Sequence, residues 1–230
     1  MAERGGLARP VGQADPDAGA LVSRPWHLFQ ATGDVVLTIG SGLLGLANQA
    51  AQSVYEGRWA RVTHAMVVAE PGVYLDVKPC AGAVFRSADR FPLWLGAPPR
   101  ADTGRRFVAA FRHPRLAGCD ETRERLAAVL AAYEGLPYNL RFIAKPERAG
   151  DQSAFCSELV ARAFRRVGIP VAPGRREAAV LPHTLDMALR DGGWLDLSDS
   201  YRAWSARPAT EAGLRTGSPV VAAPALVPAC

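Results

Sequence analysis

The sequence predicts an α+β domain in which an antiparallel sheet packs against helices, and three observations predict it. Two strand-like runs, 63–68 and 73–77, are joined by the short connection Glu70-Pro71-Gly72, which is hairpin chemistry and far too short for a parallel crossover. Two later segments, 120–133 and 156–167, repeat apolar residues at helical spacing. The chain has 230 residues, 49% apolar and 21% charged, which suffices for one buried core without a disulfide framework or structural metal.

The elements follow in order. Residues 34–39 form an almost continuous apolar run entered by Gly33 and ended by Gly40, and read as a buried strand. Gly40-Ser41-Gly42 then opens an Ala- and Leu-rich helical segment, 43–54; no Lys-Ser/Thr pair follows the glycines, so the loop is a turn and not a phosphate cradle. Leu43, Leu44 and Leu46 on this segment are expected to pack against the domain, the alternative being an apolar wall or membrane-contacting lip. In the hairpin, Val73, Leu75 and Val77 share one face, and Tyr74 and Asp76 the other. A three-residue turn sets residue 64 opposite 78, which makes Asp76 the diagonal neighbour of His64, roughly 7 to 8 Å away at the backbone. Residues 81–120 are mixed, with a strand expected at 106–111 and breaks at Pro98-Pro99 and Pro114. Asp120 is placed to cap the helix through 133, Gly168 to end the helix begun at Cys156, and Pro182 to start a helix through 189 that Gly192-Gly193 ends.

Composition narrows the function classes. Net charge is +5, yet only Lys78 and Lys145 are lysines, and the pairs Arg105-Arg106, Arg165-Arg166 and Arg175-Arg176 are scattered with no aromatic stripe joining them. No nucleic-acid partner is expected. No apolar run reaches the roughly 18 to 20 residues of a bilayer-spanning helix, so no integral membrane association is expected, and contact with lipid would be peripheral. Cys80, Cys119, Cys156 and Cys230 lack paired or metal-type spacing, so neither disulfides nor a metal is expected. Residues 1–24 read as a loosely ordered segment without the apolar region of a secretory signal, 25–204 as the domain, and 205–230 as a Pro/Ala-rich tail. The chain is expected to be cytoplasmic as synthesised, or exported by a route that needs no cleavable signal.

Three residues carry the chemistry. Cys156 opens a helix with its apolar side inward; unpaired N–H groups and the positive end of the macrodipole at that position favour a thiolate. His64 stands on an otherwise apolar strand, where an imidazole left without a polar partner would cost about 1 to 3 kcal/mol. Asp76 is that partner, and a Cys/His/acid arrangement follows. His27, His113 and His183 read as surface or capping residues, and Glu158 as a dipole-compensating or surface residue.

Gly33-Asp34-Val35-Val36-Leu37, Thr63-His64-Ala65-Met66-Val67-Val68 and Phe155-Cys156-Ser157-Glu158-Leu159-Val160 together resemble the circularly permuted papain-like branch of the NlpC-type cysteine hydrolases, the YiiX/YebB-like group. The likeness extends to Gly135-Leu136-Pro137-Tyr138-Asn139 and Leu181-Pro182-His183-Thr184-Leu185, and covers about residues 30 to 195. It implies a permuted papain-like α+β fold, with a barrel-like antiparallel sheet against helices and the nucleophile at a helix N-terminus. It implies Cys156 as nucleophile, His64 as general base and a third polar residue at Asp76, a position that is often Glu in this branch and His in lecithin:retinol acyltransferase-like relatives. Tyr138, beside the cysteine in the family, and Thr63 and Ser157, which flank the histidine and cysteine, are expected to line or support the site, core packing with a tethered hydroxyl being the alternative for Tyr138. The implied activity is hydrolysis of an amide, such as a peptidoglycan-type peptide, through a thioester acyl-enzyme, with no cofactor. Two alternatives stand beside it: a lipid-directed acyltransferase, thioesterase or phospholipase, and a catalytically silent binding protein. The substrate is accordingly a small peptide, amide or acyl compound.

Overall fold

The structure is a computed structural model, and it describes residues 30–40, 42–79, 81–87, 105–139 and 152–205. The N-terminal segment 1–24 and all of the 205–230 tail beyond residue 205, with His27, Cys80 and Cys230, lie outside the described residues. In chain order the elements are β1 (Val35–Gly40), α1 (Gly42–Glu56), β2 (His64–Glu70), β3 (Val73–Lys78), β4 (Gly82–Ser87), β5 (Arg105–Arg112), α2 (Pro114–Gly118), α3 (Asp120–Ala131), α4 (Cys156–Arg166), α5 (Pro182–Asp191), β6 (Leu195–Asp196) and α6 (Ser198–Ser205).

The strands form one sheet in the order β4-β3-β2-β1-β5-β6, with every neighbouring pair antiparallel. It is open. β4 and β6 stand at opposite edges, and a two-residue, exposed β6 has nothing with which to close a barrel, so the barrel-like sheet implied by the resemblance is not formed among the described residues. β4 is an addition to the expected elements. Its first residue, Gly82, has φ +69°, and a Cβ there would lie 2.5 Å from the Leu136 carbonyl oxygen; only glycine allows that approach.

Strand alternation divides the core. Val35, Leu37, Ala65, Val67, Leu75 and Val77 face a main core completed by Leu126 and Leu130 of α3, by Cys156, Leu159, Val160 and Phe164 of α4, and by Leu185 and Leu189 of α5. Each Leu or Phe fully buried there contributes about 1.5 to 3 kcal/mol. Val36, Met66, Val68 and Tyr74 form the second face with Phe107, Ala110 and Tyr201. Because both faces are covered, β1 reads as a continuous apolar run and not as an alternation. Tyr201 of α6 stacks on Phe107, ring centroids 5.8 Å apart.

A buried polar network holds this second face. Arg112 grips Asp34 with two donors, Nε to Oδ1 at 2.6 Å and Nη2 to Oδ2 at 2.8 Å, and the Tyr201 hydroxyl and the Ala31 N–H donate to the same carboxylate. Burial raises the Asp34 carboxyl above its ordinary range, and the Arg112 bonds oppose that rise. Gln30 donates to the Tyr74 hydroxyl at 2.5 Å and accepts from the Gly72 N–H in the hairpin turn.

Three expectations are corrected. Cys119 is disulfide-bonded, because pairing is set by spatial approach and sequence spacing does not report it. Cys156 is free. Leu43 and Leu46 do not pack against the domain; they are 86% and 55% exposed, since α1 turns its polar side inward, and the Leu44 side chain lies outside the described residues. His183 is buried within the first turn of α5 and is not a surface residue. His113 is a cap, accepting the Arg115 N–H at the start of α2.

Candidate functional site

The hairpin turn and a bulge beside it set the site's register. Glu70 pairs with Val73 across a two-residue turn, and a shift between Val68 and Glu70 then pairs Val68 with Tyr74 and Val67 with Leu75; that register carried to the start of β2 sets residue 64 against 78, the pairing expected from a three-residue turn. His64 also stands opposite Thr38 of β1, in the middle of the sheet. Its Nε2 lies 2.6 Å from Oδ1 of Asp76. Asp76 is fully buried, and its Oδ2 faces Lys78 Nζ at 3.6 Å and Arg86 Nε at 3.3 Å. A buried carboxylate needs this company: one oxygen orients the imidazole, and two half-covered cations face the other.

Cys156 reaches the same end of the sheet by another route. The Ala83 N–H, at the start of β4, donates to the Leu136 carbonyl, and the Gly135 N–H donates back to Ala83. This holds the Gly135-to-Asn139 element beside the end where β3 meets β4 and where β2 begins. Tyr138 then bridges Ala154 in parallel, and Cys156 follows two residues later as the first residue of α4, which packs on β2 and β3. The thiol is buried in the main core. The structure therefore joins His64 to Asp76 directly and sets Cys156 at the start of a helix that packs on the two strands carrying that pair.

The start of α4 is fixed by its own side chains. Glu158 is fully buried; it accepts the Phe155 N–H at 3.2 Å and pairs with Arg162 one turn on. Burial raises its pKa, with Arg162, the Phe155 N–H and Asn139 acting against the rise. Glu158 is thus a buried capping residue and not a surface one. Ser157 is buried, and its hydroxyl donates to the Val180 carbonyl at 2.7 Å, tying α4 to the segment before α5. Thr63 is buried with its Oγ1 accepting the Gly40 N–H at 2.8 Å. Tyr138 is half-buried against the main core.

Lys78, Arg86 and Asn139 also belong to the surroundings of these residues, a role the sequence does not assign them. Lys78 stands two residues on from Asp76, and Arg86 pairs with Tyr74 two residues before it, so both share its side of the sheet, a signal readable once β4 is recognised. Among the described residues no group of three or more His, Cys, Asp and Glu side chains converges as a metal ion requires, and no helix is long and apolar enough to cross a membrane.

No family model matches the chain, and no curated protein matches it. Among solved structures it is similar to one described as the metalloprotein yiiX, DUF1105, from Escherichia coli O157:H7, at 18% identity and a TM-score of 0.43, over 62% of this chain and 69% of that one. It is a weak, distant structural neighbour bearing the YiiX name.

Proposed function

We propose that the chain is a cysteine hydrolase that cleaves an amide through a thioester acyl-enzyme. The observation that carries the reading is the buried His64–Asp76 pair, 2.6 Å apart; Cys156 is buried as the first residue of α4, a helix that packs on β2 and β3, which supports it as the nucleophile. Cys156 Sγ attacks the carbonyl carbon while His64 takes the thiol proton. The C–N bond breaks, the amine leaves with that proton, and water then hydrolyses the thioester. Asp76 holds the imidazole in one tautomer, as the acid of a triad does. The Cys156 N–H, at the first residue of α4, is the donor for the oxyanion. A peptidoglycan-type peptide is the favoured amide, on the resemblance of the Cys156 and His64 segments.

A second reading, acyl transfer on a lipid ester, is favoured by the exposure of Leu43 and Leu46 on the helix whose amides hold the Thr63 carbonyl. One experiment tests both. Wild type and Cys156→Ala are incubated with muropeptides and with phospholipids, and mass changes are read. Muropeptide cleavage by wild type alone is expected; cleavage by both proteins removes Cys156 as nucleophile, and turnover of lipid alone replaces the first reading by the second.

A further inference from the structure

Helix α1 is amphipathic, and the fold mounts it with its polar side inward. Gly45 lies against Gly40 so closely that a Cβ would sit 2.3 Å from the Gly40 carbonyl carbon. Gln49 donates to the Ala60 carbonyl at 2.7 Å, and Asn48 and Gln52 both donate to the Thr63 carbonyl at 3.4 Å. Ser53 accepts the Ala60 N–H at 2.9 Å. The opposite ridge, at spacings of three and four, is Leu43, Leu46, Ala47, Ala50, Ala51, Val54 and Tyr55, all exposed. Val54 is 84% exposed, and Trp59, just past the helix, 63%. Scattered exposed leucines are ordinary, but a contiguous apolar ridge on a helix pinned by its polar side marks an interaction surface.

We propose that this ridge docks on an anionic lipid surface, α1 lying in the plane of the interface. Shape argues for a bilayer over a second copy of the chain. A helix of 15 residues is about 22 Å long and about 10 Å wide, which offers some 220 Å² a side, well short of the roughly 800 Å² a side of a stable protein interface. A convex ridge is engulfed by lipid without needing a matching groove. Charge argues the same way. Exposed Arg58 and Arg61 flank Trp59, the pairing of cation and aromatic ring suited to the headgroup level. Glu56, the helix's sole acid, accepts from the Thr184 hydroxyl, and the whole chain carries +5. The docking rests on neither reading of Cys156, because it is measured without turnover.

The test is co-sedimentation of the full chain with mixed phosphatidylcholine and phosphatidylglycerol vesicles, alongside pure phosphatidylcholine vesicles. Wild type is expected to pellet with the mixed vesicles, less with the pure ones, and less again as salt rises. The variant Leu43→Gln/Leu46→Gln/Val54→Gln, altered only at exposed positions, is expected to keep its circular dichroism and thermal midpoint and to lose at least about tenfold in binding. Wild type left in the supernatant with both vesicle types overturns the proposal, as does a folded triple variant that binds as well as wild type. Sedimentation equilibrium supplies the other outcome: a wild-type dimer that the triple variant dissolves assigns the ridge to a second copy and overturns the lipid surface.

Discussion

His64 Nε2 and Asp76 Oδ1 stand 2.6 Å apart, twelve residues from each other along one hairpin. With Asp76 accepting at Nε2, the other ring nitrogen is left as the acceptor that a base requires. Asp76→Asn reverses this preference by presenting a donor. It is expected to lower turnover about 10³- to 10⁴-fold with little change in KM, by the tautomer argument for triad acids. Lys78 and Arg86 lose their buried carboxylate as well, but both are partly exposed, so the stability loss is held to about 2 kcal/mol. Steady-state kinetics on the amide that wild type cleaves, with urea unfolding of both proteins, check the two parts separately. Unchanged turnover in a folded Asp76→Asn protein removes the acid from the mechanism.

His113 supplies a pH signature of stability. Its Nδ1 accepts the Arg115 N–H, which only the neutral ring can do. Burial first, and Arg115 second, lower its pKa from 6.5. Between that lowered value and 6.5 the unfolded chain binds more protons than the folded one, so stability rises with pH through this window and is lost as pH falls below 6.5. His113→Asn keeps a capping acceptor that does not titrate. The thermal midpoints of the two proteins are expected to differ by a constant amount above pH 6.5, with wild type falling relative to the variant below it; parallel curves throughout would refute the assignment.

Gly45→Ala tests how α1 is seated. In an exposed helix the change stabilises by about 1 kcal/mol. Here the new methyl meets the Gly40 backbone at 2.3 Å, and backbone cannot swing aside as a side chain can. Overpacking costs about 1 to 3 kcal/mol, so a net loss of about 1 kcal/mol or more is expected in urea unfolding. A gain in stability would mean that α1 is free to lift from β1.

The hairpin was legible in Pro71-Gly72, but the register that sets His64 beside Asp76 depends on a bulge between Val68 and Glu70, which no turn residue announces. The sequence carried α4 through the spacing of Cys156, Val160, Phe164 and Val167. β4 escaped notice: its six residues include Gly82, Arg86 and Ser87, and what makes them a strand is pairing with β3, a long-range fact. The mounting of α1 escaped for a related reason. Periodicity separates the two sides of a helix without saying which turns inward, and here Gly45 and the amides of Asn48, Gln49 and Gln52 decide it against the leucines. Burial of His183 and the bond at Cys119 likewise depend on what lies nearby in space.

The Asp34 carboxylate, finally, is a clasp between residues far apart in the chain. Ala31 and Arg112 bind it from the strand side, and Tyr201 reaches it across 167 positions of sequence. The described fold thus begins and finishes at a single buried oxygen pair, and the order in which the histidine hairpin and the cysteine helix are synthesised becomes separable from how they sit in space. A ribosome delivering the cysteine helix first, with residues near 30 and 203 spliced together, would still have every partner of that clasp within reach.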